Sequence, residues 1–487
     1  MFKLYNSMGR KKRRFKPMDE NSVRMYACGI TAYYSAHIGN MRTYVNQDIL
    51  KRLLLHDGYK VVHVQNITDV GHLASDADTG DDKIRAEAEK EHRSMREIAD
   101  FYAGIFIEDM KALNIMVPDV MPKASEHIPE MLNLIKRLSD KGFLYQASNG
   151  IYFDTSKFRG YGKLTGMGFK QLNNSLKEGA RVEKVEGKRH ATDFAVWRFA
   201  GQDEKEMVWD SPWGRGFPGW HLECSAMSMK YLGEQFDIHC GGIDHLQVHH
   251  TNEIAQSEAA TGHRFVDYWV HENFLTVDGK KMSKSLKNIY TVKDILAKGH
   301  SASALRLFMM SANYRQGLNF TFEALSGSES ELAGMYSLME RLSSVQGRAK
   351  NDDTAEFKKS LRSMKKEFFA RLNDDISMPE ALAAMHSLMN AVSARLGSGK
   401  LNRAEAKAAA RAMLEMDSIL GLQLGGHYRG DAPPLGKEAK ALLKEREAAR
   451  KSGDFRRSDE IRDLLREKHG IAVEDTKAGQ SWHRTPG

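Results

Sequence analysis

At 487 residues the chain is too long for one simple core, so two to four domains are expected, and its 41% hydrophobic and 28% charged content is that of a globular protein. No apolar run approaches the roughly 20 residues of a membrane span, and the basic Met1 to Lys16 stretch lacks the apolar core of a secretory signal, so a cytoplasmic location is expected. Three cysteines make no disulfide framework and leave thiols free for metal, while a net charge of +8 is compatible with a polyanionic partner.

The first dense charge, Arg10 to Arg14, reads either as a solvated terminus or as a phosphate contact. Met25 to Cys28 then reads as a buried strand, and Gly29 to Thr31 as a turn. After His37-Ile38-Gly39-Asn40 comes a helix whose Val45, Ile49 and Leu53 share a face and which ends near Gly58; Val61 to Ile67 is the next strand. Strand, turn, helix and strand make a βαβ unit, which implies an α/β fold with a parallel sheet and a ligand site at the strand C-terminal ends. His37 and Asn40 fall at the helix N-terminus, where backbone N–H groups and the dipole favour phosphate.

Thr68 to Asp82 reads as a polar surface loop, followed by one long charged helix from about Lys83 to Leu113. A second helix buries Ile128, Met131, Leu132, Ile135 and Leu138 and stops at Gly142. Phe143 to Asp154 reads as a hairpin across Asn149-Gly150, a pair suited to a type I′ turn. Ser156 to Thr192 is weakly periodic and loop-rich, and the chain is expected to re-enter the main sheet at Phe194 to Phe199 and again at Phe236 to His239.

The most informative stretch runs from Trp220 to Glu253. It holds Cys224 with aromatic and acidic neighbours, a Gly241-Gly242 turn followed by Asp244, and His249 with Glu253 at a spacing that places both on one helical face. With the distant Cys28 these residues could supply a Cys/Cys/His/Glu set for zinc, although a lone buried cysteine is ordinarily a small hydrophobe. Lys281-Met282-Ser283-Lys284-Ser285 follows in a loop after Val277-Asp278-Gly279, either a mobile cationic clamp for phosphates or merely exposed charge. From about Phe322 to Leu424 the pattern is helical, with Leu332, Met335, Met339 and Leu342 as core filler. Gly421 to Gly436 reads as a Gly/Pro-containing linker to a small charged module, Lys437 to Gly487.

The order Cys28, His37 to Asn40, Trp220 to Cys224, His249 to Glu253, Lys281 to Ser285 and the closing Leu464 to Trp482 resembles the cysteinyl-tRNA synthetases of class I, over essentially the whole chain. The resemblance implies a Rossmann-type catalytic domain over 1–320 with an insertion at about 115–200, an all-α bundle over 321–424, and an anticodon-binding module over 437–487. It also implies Cys28, Cys224, His249 and Glu253 as zinc ligands, one Zn²⁺ per chain, with Trp220 and Thr68 in the cysteine pocket. Asp244 would lie in the adenosine region, and His37, Asn40, Lys281 and Lys284 would act on the phosphates of ATP, with Mg²⁺ expected alongside. Arg450, Asp459 and Asp475 fall where the family reads the anticodon of tRNA(Cys), and a monomer is expected.

Three features depart from the family pattern. Asn40 stands where a second signature histidine is common, yet its amide can still donate a hydrogen bond. Val70 to Thr79 looks like an insertion, and Cys240 and His245 are unusual, Cys240 being the chief rival metal ligand. The implied reaction joins the cysteine carboxylate to the α-phosphate of ATP and then passes the acyl group to the terminal tRNA adenosine. Zinc would answer a selection problem, because serine differs from cysteine by one atom and a pocket of shape alone rejects it weakly. A cysteine ligase acting on an amino sugar and a non-catalytic RNA-binding paralogue are the competing expectations.

Overall fold

The computed structural model describes residues 2–70, 83–179, 185–202, 204–283, 286–345, 353–428, 437–476 and 479–484. Lys284, Ser285, most of the 70–79 insertion and residues 429–436 of the expected linker lie outside them. The chain forms two compact units, one of residues 1–326 with 370–379 and one of 327–369 with 380–487.

In the first unit a four-stranded parallel sheet runs in the order Val266–Glu272, Phe236–Gly242, Ser22–Thr31, Lys60–Thr68. Helix Ile38–His56 joins the strands Ser22–Thr31 and Lys60–Thr68, and helix His249–Thr261 joins Phe236–Gly242 to Val266–Glu272. The two βαβ units meet where Met25, Tyr26 and Ala27 pair with Ile238, His239 and Cys240. Strand progression reverses at that seam, and in such a sheet the ligand crevice lies at the carboxyl ends of the strands flanking it.

The first strand extends through Gly29 to Thr31, where a turn was expected. Its pairing with Lys60–Thr68 slips in register between Ala27 and Ile30, and Gly29 N donates to Asn66 Oδ1 at 2.9 Å. A Cβ at Gly29 would stand 1.6 Å from Asn66 O, so only glycine lets the strands approach and fix Cys28 beside the bulge.

Four other expectations change. The charged helix is two helices, Lys83–Glu91 and Met95–Ala112, because Ser94 caps the second in a reciprocal pair with Glu97. The hairpin pairs Ala147 with Gly150, so its loop is Ser148-Asn149, and neither Asn149 nor Gly150 has a positive φ. Gly150 serves closeness instead, since a Cβ there would lie 2.3 Å from Trp197 O. Phe194–Phe199 joins a separate antiparallel sheet, ordered Leu144–Ala147, Gly150–Phe153, Phe194–Phe199, Gly216–Pro218. Within the segment expected to be loop-rich, Phe169–Gly179 is helical.

Arg306 of helix Ala302–Met310 and Asp48 of helix Ile38–His56 form a fully buried ion pair, with Arg52 Nε and Met116 N also donating to Asp48 at 2.7 and 2.8 Å. The helices Phe322–Ser343, Thr354–Leu372, Met378–Gly397 and Arg403–Leu420, most of whose residues belong to the second unit, carry the helical pattern read from the sequence, and Leu332, Met335, Met339 and Leu342 are buried. Lys437–Lys451 and Phe455–His469 form a helical pair, closed by a hairpin of Ile471–Thr476 and Gly479–Arg484. The basic Lys11–Arg14 segment, in the first unit, is a strand paired with Lys3–Asn6.

Candidate active site and metal centre

Helix Trp220–Leu232 brings Cys224 in on its second turn, and helix His249–Thr261 opens with His249 and Glu253 on one face. With Cys28 on the sheet these supply two sulfurs, an imidazole nitrogen and a carboxylate oxygen, all within 4.8 Å of one another and all buried. His249 Nε2 and Glu253 Oε1 face each other at 3.1 Å, yet neither atom makes a hydrogen bond among the described residues. As a buried ion pair short of hydrogen-bond geometry, the two atoms satisfy each other only in part and remain available to a ligand. Two sulfurs, one nitrogen and one oxygen at this separation fit the donor set of a tetrahedral zinc site.

A second set shares Cys28 and Glu253 but substitutes His239 and His250. Its atoms are already engaged: His250 Nε2 lies 3.3 Å from Cys28 Sγ, and His239 Nε2 lies 2.9 Å from Glu253 Oε2. His250 Nδ1 continues to His271 Nε2 at 2.9 Å and His271 Nδ1 to Ser7 Oγ at 2.7 Å, while His221 Nδ1 meets His249 Nδ1 at 2.9 Å. These imidazoles are therefore placed to orient three of the four inner residues, the usual arrangement behind metal ligands. The sequence reading passed over them individually, although seven of the 19 histidines fall between positions 221 and 271. Cys240 lies in the sheet between Ala27 and Val270, fully buried, and belongs to neither set.

Electrostatics acts differently on the four: burial, with Cys224 and Glu253 beside it, pushes the Cys28 thiol well up. A hydrogen bond with Cys28 brings the Cys224 thiol down to about 6 against the opposing effect of burial. Burial alone would raise Glu253, but His239 and His249 hold it at about 2. Burial disfavours a charged His249, yet Glu253 and Cys224 raise it to about 10, so the imidazole keeps a proton that a bound cation would displace.

Around this centre the remaining sequence-predicted residues take distinct places. Trp220 stacks on His249 with centroids 4.1 Å apart. Thr68 is buried at the end of its strand, its hydroxyl accepting from Asn66 Nδ2 at 3.1 Å. Asp244 is exposed, in the single turn Ile243–Leu246 after the sheet, and a side chain at Gly242 would meet its carboxylate at 2.3 Å.

His37 caps helix Ile38–His56: its Nδ1 accepts from Asn40 N at 3.1 Å and its own N–H donates to Asn40 Oδ1 at 3.2 Å. The proton of neutral His37 is thereby fixed on Nε2, and the Nδ2 of Asn40 is left to donate. Lys281 ends the short exposed strand Lys280–Lys281, and a Cβ at Gly39 would lie 2.5 Å from Met282 Cε. Ile38 N also donates to Tyr290 O at 2.8 Å, so the two signature segments abut.

In the C-terminal module Arg450 pairs with Asp475 at 3.0 Å, and the fully buried Arg446 grips the same carboxylate with bonds of 3.0 and 2.8 Å. Asp459 pairs instead with Arg462 at 2.9 Å on the surface.

Residues 14–330 match the family described as tRNA synthetases class I (C) catalytic domain, 367–425 the DALR domain, and 432–482 the cysteinyl-tRNA ligase anticodon binding domain. A cysteine–tRNA ligase of Treponema denticola is 41% identical over 99% of both chains, and one of Thermus thermophilus is 42% identical over 98% of both. Among solved structures, methionyl-tRNA synthetase of Mycobacterium tuberculosis with methionyl-adenylate superposes with a TM-score of 0.60 at 16% identity, covering 84% of this chain and 91% of that one, a likeness of fold alone. With nearly its whole length aligned to these ligases and its catalytic portion matching their class, the chain belongs to the cysteinyl-tRNA synthetase family.

Proposed function

We propose that this chain activates cysteine with ATP and transfers it to the terminal adenosine of tRNA(Cys), using Cys28, Cys224, His249 and Glu253 to hold one zinc ion. The convergence of those four donor atoms, with His249 Nε2 and Glu253 Oε1 buried and without hydrogen bonds among the described residues, carries the reading. The chemistry the ion supplies when bound is soft Lewis acidity, which favours a thiolate over the hydroxyl of serine.

The chain's own residues do the rest by placement. Trp220, stacked against His249, walls the side-chain pocket. The cysteine carboxylate attacks the α-phosphate and pyrophosphate leaves, so the protein needs no nucleophile and must align reactants and neutralise phosphate charge. His37 through Nε2–H, Asn40 through its amide, Lys281 and Lys284 serve the phosphates, with Mg²⁺ accompanying ATP, and Asp244 serves the adenosine. The match of residues 432–482 to an anticodon-binding family supports tRNA as acceptor over an amino sugar. Within the module, Arg450, Asp459 and Asp475 read the anticodon; the protein works as a cytoplasmic monomer.

Cysteine-dependent exchange between ATP and pyrophosphate, followed by charging of purified tRNA(Cys), tests the whole reading. Exchange without charging would return the amino-sugar ligase, and neither activity would leave a non-catalytic RNA binder.

A further inference from the structure

His245 is not accounted for by the zinc set, nor by the phosphate residues. It sits in the turn Ile243–Leu246, one residue after Asp244, and is half-buried. Its ring meets Trp220 edge-on at 5.9 Å, His249 at 5.0 Å and His250 at 5.2 Å. Its Nδ1 is buried and makes no hydrogen bond among the described residues. A Cβ at position 241 would stand 2.9 Å from that nitrogen and 2.7 Å from His250 Cε1, so only glycine there lets both rings pack against the strand end.

Resting on the function proposed above, we infer that His245 is a substrate-contacting residue whose Nδ1 accepts a hydrogen bond from the α-ammonium group of cysteine. The position calls for such a contact. His245 lies between the pocket wall at Trp220 and His249, which faces the thiol, and Asp244, which faces the adenosine. The amino acid must span that interval to bring its carboxylate to the α-phosphate. Of its three functional groups the thiol goes to the metal and the carboxylate must stay free to attack, which leaves the ammonium as the group to be anchored. A neutral imidazole with its proton on Nε2 offers Nδ1 as the acceptor, and the neighbouring carboxylate of Asp244 favours a cation there. The contact also accounts for a buried nitrogen that is otherwise unsatisfied.

The test uses the full-length zinc-loaded protein with the variants His245→Leu and His245→Asn, since an asparagine amide oxygen falls near the Nδ1 position. In cysteine-dependent pyrophosphate exchange His245→Leu should raise the KM for cysteine about tenfold or more, the worth of one hydrogen bond to a charged group, with the KM for ATP and the zinc content unchanged. The inhibition constant of 3-mercaptopropionate, which keeps thiol and carboxylate but lacks the amino group, should not move. His245→Asn should stay within a few-fold of the unaltered chain. Equal losses for cysteine and 3-mercaptopropionate, an unchanged cysteine KM in His245→Leu, or loss of zinc in both variants would each overturn the assignment. Failure of the unaltered protein to exchange pyrophosphate with cysteine would instead sink the functional reading, and this inference with it.

Discussion

The metal centre and the C-terminal module both gather charge, but they satisfy it in opposite ways. Around Cys28, Cys224, His249 and Glu253 the groups are buried, and two of them face each other without a hydrogen bond among the described residues. In the module Asp459, Arg457 and Glu445 are exposed and Arg450 is half-exposed, and each is paired with a neighbour. Burial removes water as an alternative partner, so an unfilled valence there demands a ligand; at the surface water and counter-ions fill any valence, and a pair is readily exchanged for RNA phosphate. The same residue types thus fit the proposed ion in one place and the proposed transient RNA partner in the other.

The sharpest way to break this contrast is to remove inner donors. A Cys224→Ser, His249→Ala double variant should lose zinc by mass spectrometry and lose cysteine activation by more than ~10³-fold, because two weak or absent donors cannot hold the ion. Stoichiometric zinc in that protein would refute the ligand assignment. His239→Ala, which removes only the hydrogen bond behind Glu253, should weaken zinc by about 10–100-fold while the inner set remains.

Buried charge without a metal should behave like the centre rather than the surface. Arg306→Met leaves Asp48 buried with one cation fewer, so the larger unit should lose about 3–5 kcal/mol in chemical denaturation. A loss under about 1 kcal/mol, the size of a surface pair, would mean that burial is not what distinguishes the two regions.

Asp475 stands between the cases, because its carboxylate neutralises the buried Arg446 as well as the half-exposed Arg450. Asp475→Ala should therefore destabilise the module by about 1–3 kcal/mol in addition to blurring anticodon discrimination, whereas Arg450→Ala should weaken tRNA binding with a shallower salt dependence and leave the module's melting in place. Equal melting of the two variants would remove the structural role from Asp475.

Asp109 is a buried acid, and burial raises it to about 6. The unfolded carboxyl titrates near ~3.9, so as pH rises between these values the unfolded state releases its proton first and stability falls. Asp109→Asn, followed by chemical denaturation across pH, should therefore gain about 1–2 kcal/mol above neutral pH, less than the whole shift because water still screens part of the carboxylate. That gain should shrink to nothing as the pH drops to the unfolded value. At the small end, Arg457→Ala deletes an exposed pair with Glu445 and should change stability by less than about 1 kcal/mol.

Sequence alone indicated the βαβ start of the fold, the helix that begins after His37, the helical run from Phe322 and the pairing of His249 with Glu253, because periodicity and i, i+4 spacing are local properties; Cys28 and Cys224 were grouped with that pair by donor type and by family resemblance. It placed Phe194–Phe199 in the wrong sheet, since an apolar run carries no information about which strand it will meet. It put the hairpin turn one residue too late, because Gly150 is required by the carbonyl of Trp197, which is distant in sequence. It also missed the ring of histidines behind the inner set, whose hydrogen bonds join residues as far apart as His271 and Ser7. Whether a histidine is ligand, orienting group or substrate contact is decided by which of its two nitrogens is already bonded. Only the tertiary structure sets that, because the partner arrives from another strand or helix.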